Sequence, residues 1–485
     1  MSARRRTLVW FRGKDLRLVD HAPLAAALEQ GDVIPLFVLD PYFFAPERAR
    51  RIPHRMQFLL ESLSALAANL EHKGSRLFVV AGKSVEVVPE LAARLRVDRV
   101  VAERWCEPVG RRRDALVAQA LRVPFELFEG EMLRPPGTLR NQDGKPYAVF
   151  SAFARAFAAQ AALDEPLAAP KRLPAPPPDV DIRSVPIPTC DALGIARNPH
   201  LLPGGEAAAA KRLRAFLDGP AKDYDTGRDR LDLAGTSRLS VDLKFGTLAP
   251  RRVWHAVRRA LEGSPAAWHA FANELVWREF THSTLWDFPE LLKEPYRAAW
   301  REFPWRADEV GLRAWVNGTT GYPVVDAAAR QLAGEGFVHN RARMIAASFL
   351  TKHLLIDYRR GEAHYLALLT DGDWANNNAG WQWSAGCGQD AQPYFRVFNP
   401  VTQGKKFDPQ GDYVRRWVPE LAKLPAAHIH WPSGAPADVL ARAGVTLEKT
   451  YPLPIVDHAE ARARFLAVAE SAVGPAARGR ARQGV

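Results

Sequence analysis

The chain has 485 residues, of which 47% are hydrophobic and 25% charged, a balance typical of a globular protein large enough for two or more hydrophobic cores. This composition excludes a chain that is disordered throughout, a collagen-like repeat and a small disulfide scaffold. The 66 lysines and arginines outnumber the 54 acidic residues and leave a net charge of +12, so a polyanion such as nucleic acid is the first partner to consider.

The first third of the chain alternates short apolar runs with amphipathic stretches. Residues 7–11, 33–39, 77–80 and 99–102 are predicted to be buried strands with helices between them. This alternation is typical of a parallel α/β sheet, whose ligands bind at the carboxyl ends of the strands. Neither GxGxxG nor GxxxxGK[ST] follows any of these strands, so an ordinary dinucleotide or P-loop site is not expected.

A proline-rich stretch and then a long helical region follow. Residues 163–203 carry too many prolines for a helix or a central strand. The clearest predicted helices are residues 206–217, 250–261, 266–285, 324–333, 340–357 and 363–369. We therefore predict an α/β domain at 1–133, an interdomain linker at 134–205, a larger all-α domain at 206–474 and a basic tail at 475–485.

Cysteine usage and hydropathy indicate the compartment. Cys106, Cys190 and Cys387 are odd in number and far apart, which favours a reducing cytosol and argues against a structural metal. The apolar run behind the basic start is too short for a signal peptide, and no run approaches the roughly 20 apolar residues of a membrane span. We expect a cytoplasmic protein without a membrane association.

Four segments of the helical region are rich in polar and aromatic residues where a simple bundle would be apolar. The first, residues 224–240, contains Arg228, Arg230 and the run GTSRLS. Hydroxyls and main-chain N–H groups near a helix start suit phosphate oxygens. Helix capping explains Thr236 and Ser237 equally well.

The second segment, residues 273–280, places three functional groups on one helix face. Glu274, Trp277 and Arg278 stand at positions i, i+3 and i+4, so a carboxylate, an indole and a guanidinium are neighbours. An ion pair beside a core tryptophan is the alternative interpretation.

The third and fourth segments are residues 339–344 and 370–400. In the third, Asn340 and either Arg343 or Met344 meet at helical spacing, and its arginines oppose the helix dipole, so they suit an outside anion better than the helix itself. A solvated charged face is the alternative interpretation. In the fourth, three consecutive asparagines stand among three tryptophans. Asparagine is a poor helix former, so this composition indicates polar contacts to a large flat ligand.

Six motifs resemble the photolyase/cryptochrome family, in order over nearly the whole chain. They are residues 10–20 (WFRGKDLRLVD), 235–240 (GTSRLS), 273–280 (NELVWREF), 321–326 (GYPVVD), 339–344 (HNRARM) and the block 371–400. The resemblance implies a Rossmann-like N-terminal antenna domain and a helical domain that binds U-shaped FAD.

Within this family, four residues resemble those of enzymes that repair cyclobutane pyrimidine dimers. Glu274, Trp277 and Met344 match the lesion pocket, and Asn377 matches the residue that faces flavin N5. The resemblance implies a lyase in which excited FADH⁻ passes an electron to a flipped-out dimer in DNA, the two inter-ring bonds split and the electron returns.

The same matching implies the binding residues. Those for FAD are Tyr224, Thr236, Ser237, Arg238, Leu239, Ser240, Arg343, Asp371, Gly372, Asp373 and Asn377; those for DNA are Arg228, Glu274, Trp277, Arg278, Asn340, Arg341, Trp383 and Gln403. We expect Arg343 to pair with Asp371, because acids near an anionic flavin are repulsive unless paired. Dimer-containing DNA is then the partner of a monomer that needs no obligate protein partner.

The electron relay for flavin photoreduction departs from the family pattern. It maps to Trp381, Tyr358 and Trp305, so its middle member is a tyrosine, which oxidises readily only if its proton is taken. Trp374 lies seven residues before Trp381 on the same helical face and is the alternative carrier.

The antenna position also departs from the pattern. The acid that folate-binding members of one class use falls on Gly110, with Glu107 as the alternative. The antenna chromophore is therefore methenyltetrahydrofolate, a deazaflavin, another flavin or absent.

Two other functions compete with dimer repair. A cryptochrome-type blue-light photoreceptor would share the fold, but little sequence follows the last predicted helix, and Glu274 with Asn377 favours repair. A light-independent flavoprotein that binds nucleic acid would not need Glu274 beside the bases.

Overall fold

The computed structural model describes residues 5–481. Their contacts form two compact units that interleave along the chain: unit 1 contains residues up to 225, 236–289 and 370–373, and unit 2 contains 226–235, 290–369 and the residues from 374 onward. This division does not coincide with the predicted border at 205/206, because residues 206–225 and 236–289 have most of their contacts inside the sheet-bearing unit.

Unit 1 contains a five-stranded parallel sheet. Its strands are β1 (Arg5–Phe11), β2 (Gly31–Leu39), β3 (Phe78–Ala81), β4 (Arg99–Glu103) and β5 (Phe125–Phe128). Their order is β3-β2-β1-β4-β5, with Thr7 of β1 aligned with Val33 on one side and Arg99 on the other. The predicted fold class is confirmed. The sequence missed β5 because this edge strand has four half-buried residues and no buried apolar run.

Helices cover both faces of the sheet. Val9 and Phe11 enter one core and Leu8 and Trp10 another, as expected when alternate side chains point to opposite faces. The helices up to residue 158 are α1 (Ala22–Leu28), α2 (Pro41–Phe44), α3 (Pro46–Ala49), α4 (Pro53–His72), α5 (Ser84–Arg94), α6 (Pro108–Ala120) and α7 (Phe150–Ala158).

A third core of unit 1 is helical and surrounds one long helix. The next helices are α8 (Glu206–Asp218), α9 (Tyr224–Gly227), α10 (Ser240–Phe245), α11 (Pro250–Ala260) and α12 (Pro265–Asp287). Helix α12 begins at a proline, whose fixed φ suits the first helical position, and it buries Phe271, Leu275 and Phe280 in this core.

Unit 2 is helical. Its helices are α13 (Glu309–Asn317), α14 (Pro323–Glu335), α15 (Asn340–Ser348), α16 (Tyr358–Leu368), α17 (Trp374–Ala385), α18 (Pro400–Phe407), α19 (Asp412–Trp417), α20 (Ala426–Ile429), α21 (Ala437–Ala443) and α22 (His458–Ala481). The π-helical segment Phe349–His353 follows α15.

Three predicted stretches differ from the structure. The helix expected at 340–357 is wrong beyond Ser348, where the chain passes through the π-helical segment and reaches a left-handed Leu355. The predicted linker contains helix α7. The expected tail is helical through Ala481, and its last residues, 482–485, lie outside the described part. Among residues 5–481, no helix is both long and apolar enough to cross a membrane.

Candidate functional site

The carboxyl end of the sheet in unit 1 is filled by charged side chains. The loops after β1 and β4 meet there, at the point where the strand order reverses. Arg12 Nη1 donates to Asp114 Oδ1 at 2.6 Å, and the Arg12 guanidinium lies 5.0 Å from the ring centroid of Trp10. The chain's own ion pairs therefore occupy the place where ligands of such sheets usually bind.

A buried ion network, which we call the Lys14 network, lies beside these loops. It consists of Lys14, Glu107, Glu131, His282 and Asp373. The Lys14 ammonium hydrogen-bonds Glu131 and lies 3.0 Å from Glu107 Oε1 and 3.7 Å from Asp373 Oδ2. Burial alone would lower the pKa of Lys14, but the surrounding carboxylates raise it above its usual range.

His282 connects the two ends of this network. Its Nδ1 donates to the Arg278 carbonyl oxygen at 2.9 Å, since a carbonyl only accepts. Its Nε2 lies 3.4 Å from Asp373 Oδ2 and 3.7 Å from Glu131 Oε1. Burial would raise the pKa of Asp373, but His282 and Lys14 lower it well below its usual value.

The acids of this network and His282 also have the spacing of metal ligands. One ligand atom each from Glu131, His282 and Asp373 lies within 4.8 Å of the others. The Lys14 ammonium already supplies the positive charge that both carboxylates require. We therefore assign the group as an ion-pair network and not as a metal centre.

The Lys14 network holds the segment 371–373, which is predicted to bind FAD. Asp373 is tied to His282 and Lys14, and Arg55 Nη1 donates to the Gly372 carbonyl oxygen at 3.2 Å. All three residues of the segment are buried. The Asp373 carboxylate thus has a structural role within unit 1 in addition to its predicted contact with FAD.

The same strand-end loop positions the predicted phosphate-binding segment 236–240. Helix α10 ends at Phe245 and is capped by Gly246, which has a φ of +60°. Gly246 approaches the loop after β1 so closely that an added Cβ would lie 1.8 Å from the Lys14 carbonyl oxygen. The Leu16 N–H donates to the Phe245 carbonyl oxygen at 3.3 Å. Helix α10, which follows the predicted phosphate-binding segment, is therefore anchored at its carboxyl end by the loop after β1.

The predicted FAD residues of unit 1 have suitable chemistry for that cofactor. Thr236 and Ser237 are half-buried and Ser240 is exposed, so hydroxyl and main-chain groups suited to a pyrophosphate are present. Tyr224 is buried against Phe271, with ring centroids 5.2 Å apart. Together with the carboxylates of 371–373, this donor set fits FAD.

The face of α12 in unit 1 carries two of the predicted lesion-pocket residues. Glu274 and Trp277 are both half-buried, and the Trp277 indole stacks on Phe150. Arg278 is buried: its Nη1 donates to the Glu131 carbonyl oxygen at 2.7 Å and lies 3.6 Å from Glu279 Oε1. This position favours a structural role for Arg278 over the predicted DNA contact.

In unit 2, the start of α15 meets two distant segments. Arg341 Nη2 forms a 2.7 Å ion pair with Asp229 Oδ1, and its guanidinium lies 4.3 Å from the ring centroid of Phe407 at the end of α18. The Leu231 N–H donates to the Phe407 carbonyl oxygen at 2.8 Å. The segments that carry the predicted DNA residues Arg228, Arg341 and Gln403 are therefore adjacent.

The other residues at the start of α15 follow the predicted spacing. Asn340 is exposed, and its Nδ2 lies 3.9 Å from the sulfur of half-buried Met344. His339 Nδ1 accepts from the Arg341 N–H at 3.1 Å, and burial lowers the pKa of His339 to about 4. Arg343 Nε donates to the Val338 carbonyl oxygen at 2.7 Å.

The asparagine run lies inside helix α17. Asn377 Nδ2 donates to the Glu362 carbonyl oxygen at 3.1 Å, and Asn378 Nδ2 donates to the Leu291 carbonyl oxygen at 2.9 Å. Asn378 also donates to the Glu362 carboxylate, whose pKa burial raises to about 7. These tertiary hydrogen bonds offset the low helix propensity of asparagine. Trp383, on the same helix, is half-buried.

Trp381 of the predicted relay has aromatic neighbours that the sequence analysis missed. The ring centroids of Tyr365 and Trp315 lie 5.2 and 5.9 Å from that of buried Trp381. A Cβ at Gly361 would lie 2.2 Å from the Trp381 ring, so helix α16 packs directly on the indole. Both neighbours stand at buried helical positions, where an aromatic residue is typical of any core.

The remaining relay residues have different surroundings. Tyr358 is buried, which raises its pKa, and within residues 5–481 no polar atom is in hydrogen-bonding reach of its hydroxyl. Half-buried Trp305 stacks with Trp300 at 6.0 Å. Trp374, the first residue of α17, is also half-buried.

The two residues considered for the antenna are both enclosed. A Cβ at Gly110 would lie 2.6 Å from the Trp105 side chain, so an acid does not fit there unless Trp105 moves. Glu107 is buried and ion-paired to Lys14. The identity of an antenna chromophore stays a prediction.

Comparisons with known proteins agree with these features. A family model described as "DNA photolyase" matches residues 7–176, and one described as "FAD binding domain of DNA photolyase" matches residues 271–471. The chain is 42% identical over 482 residues to a deoxyribodipyrimidine photo-lyase of Agrobacterium fabrum, with 95% of this chain and 96% of the relative covered.

Solved structures of both photolyases and cryptochromes are similar to this chain. A bacterial class III photolyase from Agrobacterium tumefaciens has a TM-score of 0.90 and 40% identity, with 97% of this chain and 98% of that chain covered. A cryptochrome from Synechocystis has a TM-score of 0.88 and 29% identity, with 96% and 99% covered.

Proposed function

Because the chain belongs to the DNA photolyase family, we propose that it repairs cyclobutane pyrimidine dimers in DNA under light. The chain has the FAD-binding domain of this family, and reduced FAD supplies the electron for bond splitting when it is bound. The observation that carries the proposal is the pairing of Glu274 and Trp277 on one half-buried face of α12. A carboxyl group and a flat indole at this spacing suit an extruded pyrimidine dimer, which has flat apolar faces and polar carbonyl edges.

Each unit carries residues for a different part of the proposed function. In unit 1, Trp277 offers a stacking surface and Glu274 a hydrogen-bonding group for the dimer carbonyls. In unit 2, Arg228, Arg341 and Gln403 are on adjacent segments, which suits contacts to a sugar-phosphate backbone. The net charge of +12 assists the approach to DNA.

The proposal predicts repair only in the light. Enzyme with chemically reduced FAD, illuminated with near-UV or blue light, is expected to restore thymine dimers in an oligonucleotide and to leave (6-4) lesions unchanged. Chromatography of the oligonucleotide before and after illumination measures both reactions. Repair in darkness, repair of (6-4) lesions alone, or no repair would each contradict the proposal.

Glu274 is expected to contribute more to the repair step than to DNA binding. Replacement with alanine removes the hydrogen bond that the Glu274 carboxyl, when protonated, donates to the accepting carbonyls. The repair yield per bound dimer is expected to fall about tenfold, as for the loss of a hydrogen bond worth ~1.5 kcal/mol. Dimer affinity is expected to change less. Glu262→Ala, an exposed acid after α11, is the matched control. A collapse of affinity with an unchanged yield would assign Glu274 to binding alone.

A cryptochrome-type photoreceptor is the second candidate, favoured by the similarity to the Synechocystis cryptochrome. Both candidates predict FAD that responds to light. Only the repair enzyme predicts that dimers disappear in proportion to the light absorbed, so the same illumination assay separates them.

A further inference from the structure

Phe150 and Trp277 of unit 1 are stacked face to face. Their ring centroids are 3.7 Å apart and their planes differ by 5°. Aromatic pairs left to themselves prefer offset or edge-to-face arrangements. The near-parallel stack is therefore imposed by the packing of α7, which starts at Phe150, against α12, which carries Trp277.

The rings behind this pair hold it in place. The Phe280 ring stands edge-on to both, with centroids 5.7 Å from Trp277 and 6.0 Å from Phe150. Phe153, one turn along α7, lies 5.2 Å from Phe280. Phe153 and Phe280 are buried, whereas Phe150 and Trp277 are half-buried. The pair is thus the solvent-facing end of a fixed aromatic cluster.

We propose that Phe150 is a positioning residue for lesion binding: it covers one face of the Trp277 indole and fixes the other as a flat platform for an extruded base. The inference rests on the proposed function, in which Trp277 stacks on the dimer. With Phe150 at 3.7 Å, no base can enter on the covered face. Stacking is therefore directed to the opposite face.

The platform lowers the cost of binding because the indole is ordered before the DNA arrives. A side chain that must be immobilised on binding reduces affinity. Without the Phe150 ring, the indole can rotate in the free protein. Ordering the indole on binding then costs free energy, which offsets part of the free energy of stacking. The expected loss of dimer affinity is roughly three- to tenfold, whereas contacts to phosphates are unaffected.

The experiment compares Phe150→Leu, Phe150→Tyr and the control Phe153→Leu as holoenzymes. Dissociation constants are measured in the dark for a dimer-containing oligonucleotide and for the same sequence without the lesion. Phe150→Leu is expected to weaken dimer binding roughly three- to tenfold and to leave undamaged DNA unchanged; Phe150→Tyr keeps the ring and restores wild-type affinity. Phe153→Leu lowers the melting temperature but not the preference for the dimer.

If Phe150→Leu retains the full wild-type preference for dimer-containing DNA, the proposed role of Phe150 is wrong. A wild type without such a preference overturns the proposed function instead. In that case the platform is tested by the accessibility of the Trp277 indole. The Trp277 fluorescence is obtained as the difference from Trp277→Phe, and its quenching by acrylamide is measured. Quenching should rise roughly twofold in Phe150→Leu because a second ring face becomes accessible. Quenching that is unchanged in Phe150→Leu would also contradict the proposed role of Phe150.

Discussion

Replacing Trp381 with phenylalanine is expected to abolish light-driven reduction of oxidised FAD while chemically reduced enzyme still repairs dimers. Trp381 is buried among Tyr365, Trp315 and the backbone at Gly361, and phenylalanine preserves that packing but does not readily give up an electron. The photoreduction rate should fall by at least about a hundredfold, equivalent to a barrier ~2.7 kcal/mol higher. Absorption spectra under blue light follow the loss of oxidised flavin.

Two further variants separate the routes that lead to Trp381. Tyr358 has no proton acceptor for its hydroxyl within the described residues, so hopping with proton loss is unfavourable. Trp374 starts the helix that contains Trp381, at an axial distance of about 10 Å. We expect Trp374→Phe to slow photoreduction and Tyr358→Phe to leave it unchanged.

The control is Trp254→Phe, a half-buried tryptophan that packs on Trp268 in unit 1. The reverse pattern would identify Tyr358 as the carrier. If both variants behave like wild type, neither assignment holds, and Tyr365 and Trp315 are the next residues to replace, because their rings contact Trp381.

Helices and strands were predictable from the sequence where the spacing of apolar residues matched the repeat of the helix or strand. The four predicted apolar runs correspond to β1 to β4, whereas half-buried β5 gave no signal. The helix predicted through residue 357 fails after Ser348 because residues 349–356 are buried whatever their backbone conformation. A segment that is buried on all sides shows no change of periodicity at the residue where an α-helix ends.

Site residues on one helix were predictable, and those gathered from several elements were not. Helical spacing predicted that Asn340 lies beside Arg343 or Met344, and the structure places it beside Met344. The Lys14 network joins residues separated by up to 359 positions, from Lys14 to Asp373. No local sequence pattern predicts a contact between residues so far apart in the chain. Glu107, considered for the antenna, is one of its members. Phe150 was assigned to a linker, where nothing indicated a ring stacked on Trp277.

Replacing Lys14 with methionine is expected to destabilise the protein by about 3–5 kcal/mol, the usual result of removing one partner from a buried ion pair. The change leaves Glu107, Glu131 and Asp373 buried without the ammonium that now lies between them. Chemical denaturation of the holoenzyme at pH 7.5 measures the loss. Lys83→Met is the matched control, because the Lys83–Glu86 pair is exposed and should contribute less than about 1 kcal/mol.

The deficit of Lys14→Met should shrink in acid. Burial would raise the pKa of Glu131, but Lys14, His282 and Arg278 hold it at about 2, and the pKa of Asp373 is also well below its usual value. Acids with a lowered pKa stabilise the fold above their unfolded pKa of about 4, and this stabilisation is lost as the pH falls toward 2. In Lys14→Met, burial dominates and the acids take up protons earlier. Wild type and variant should therefore differ most above about pH 5, and the difference should shrink as the pH falls and approach zero near the folded pKa of about 2. A difference that is constant from pH 7.5 to pH 3.5 would contradict the assigned role of the Lys14 ammonium.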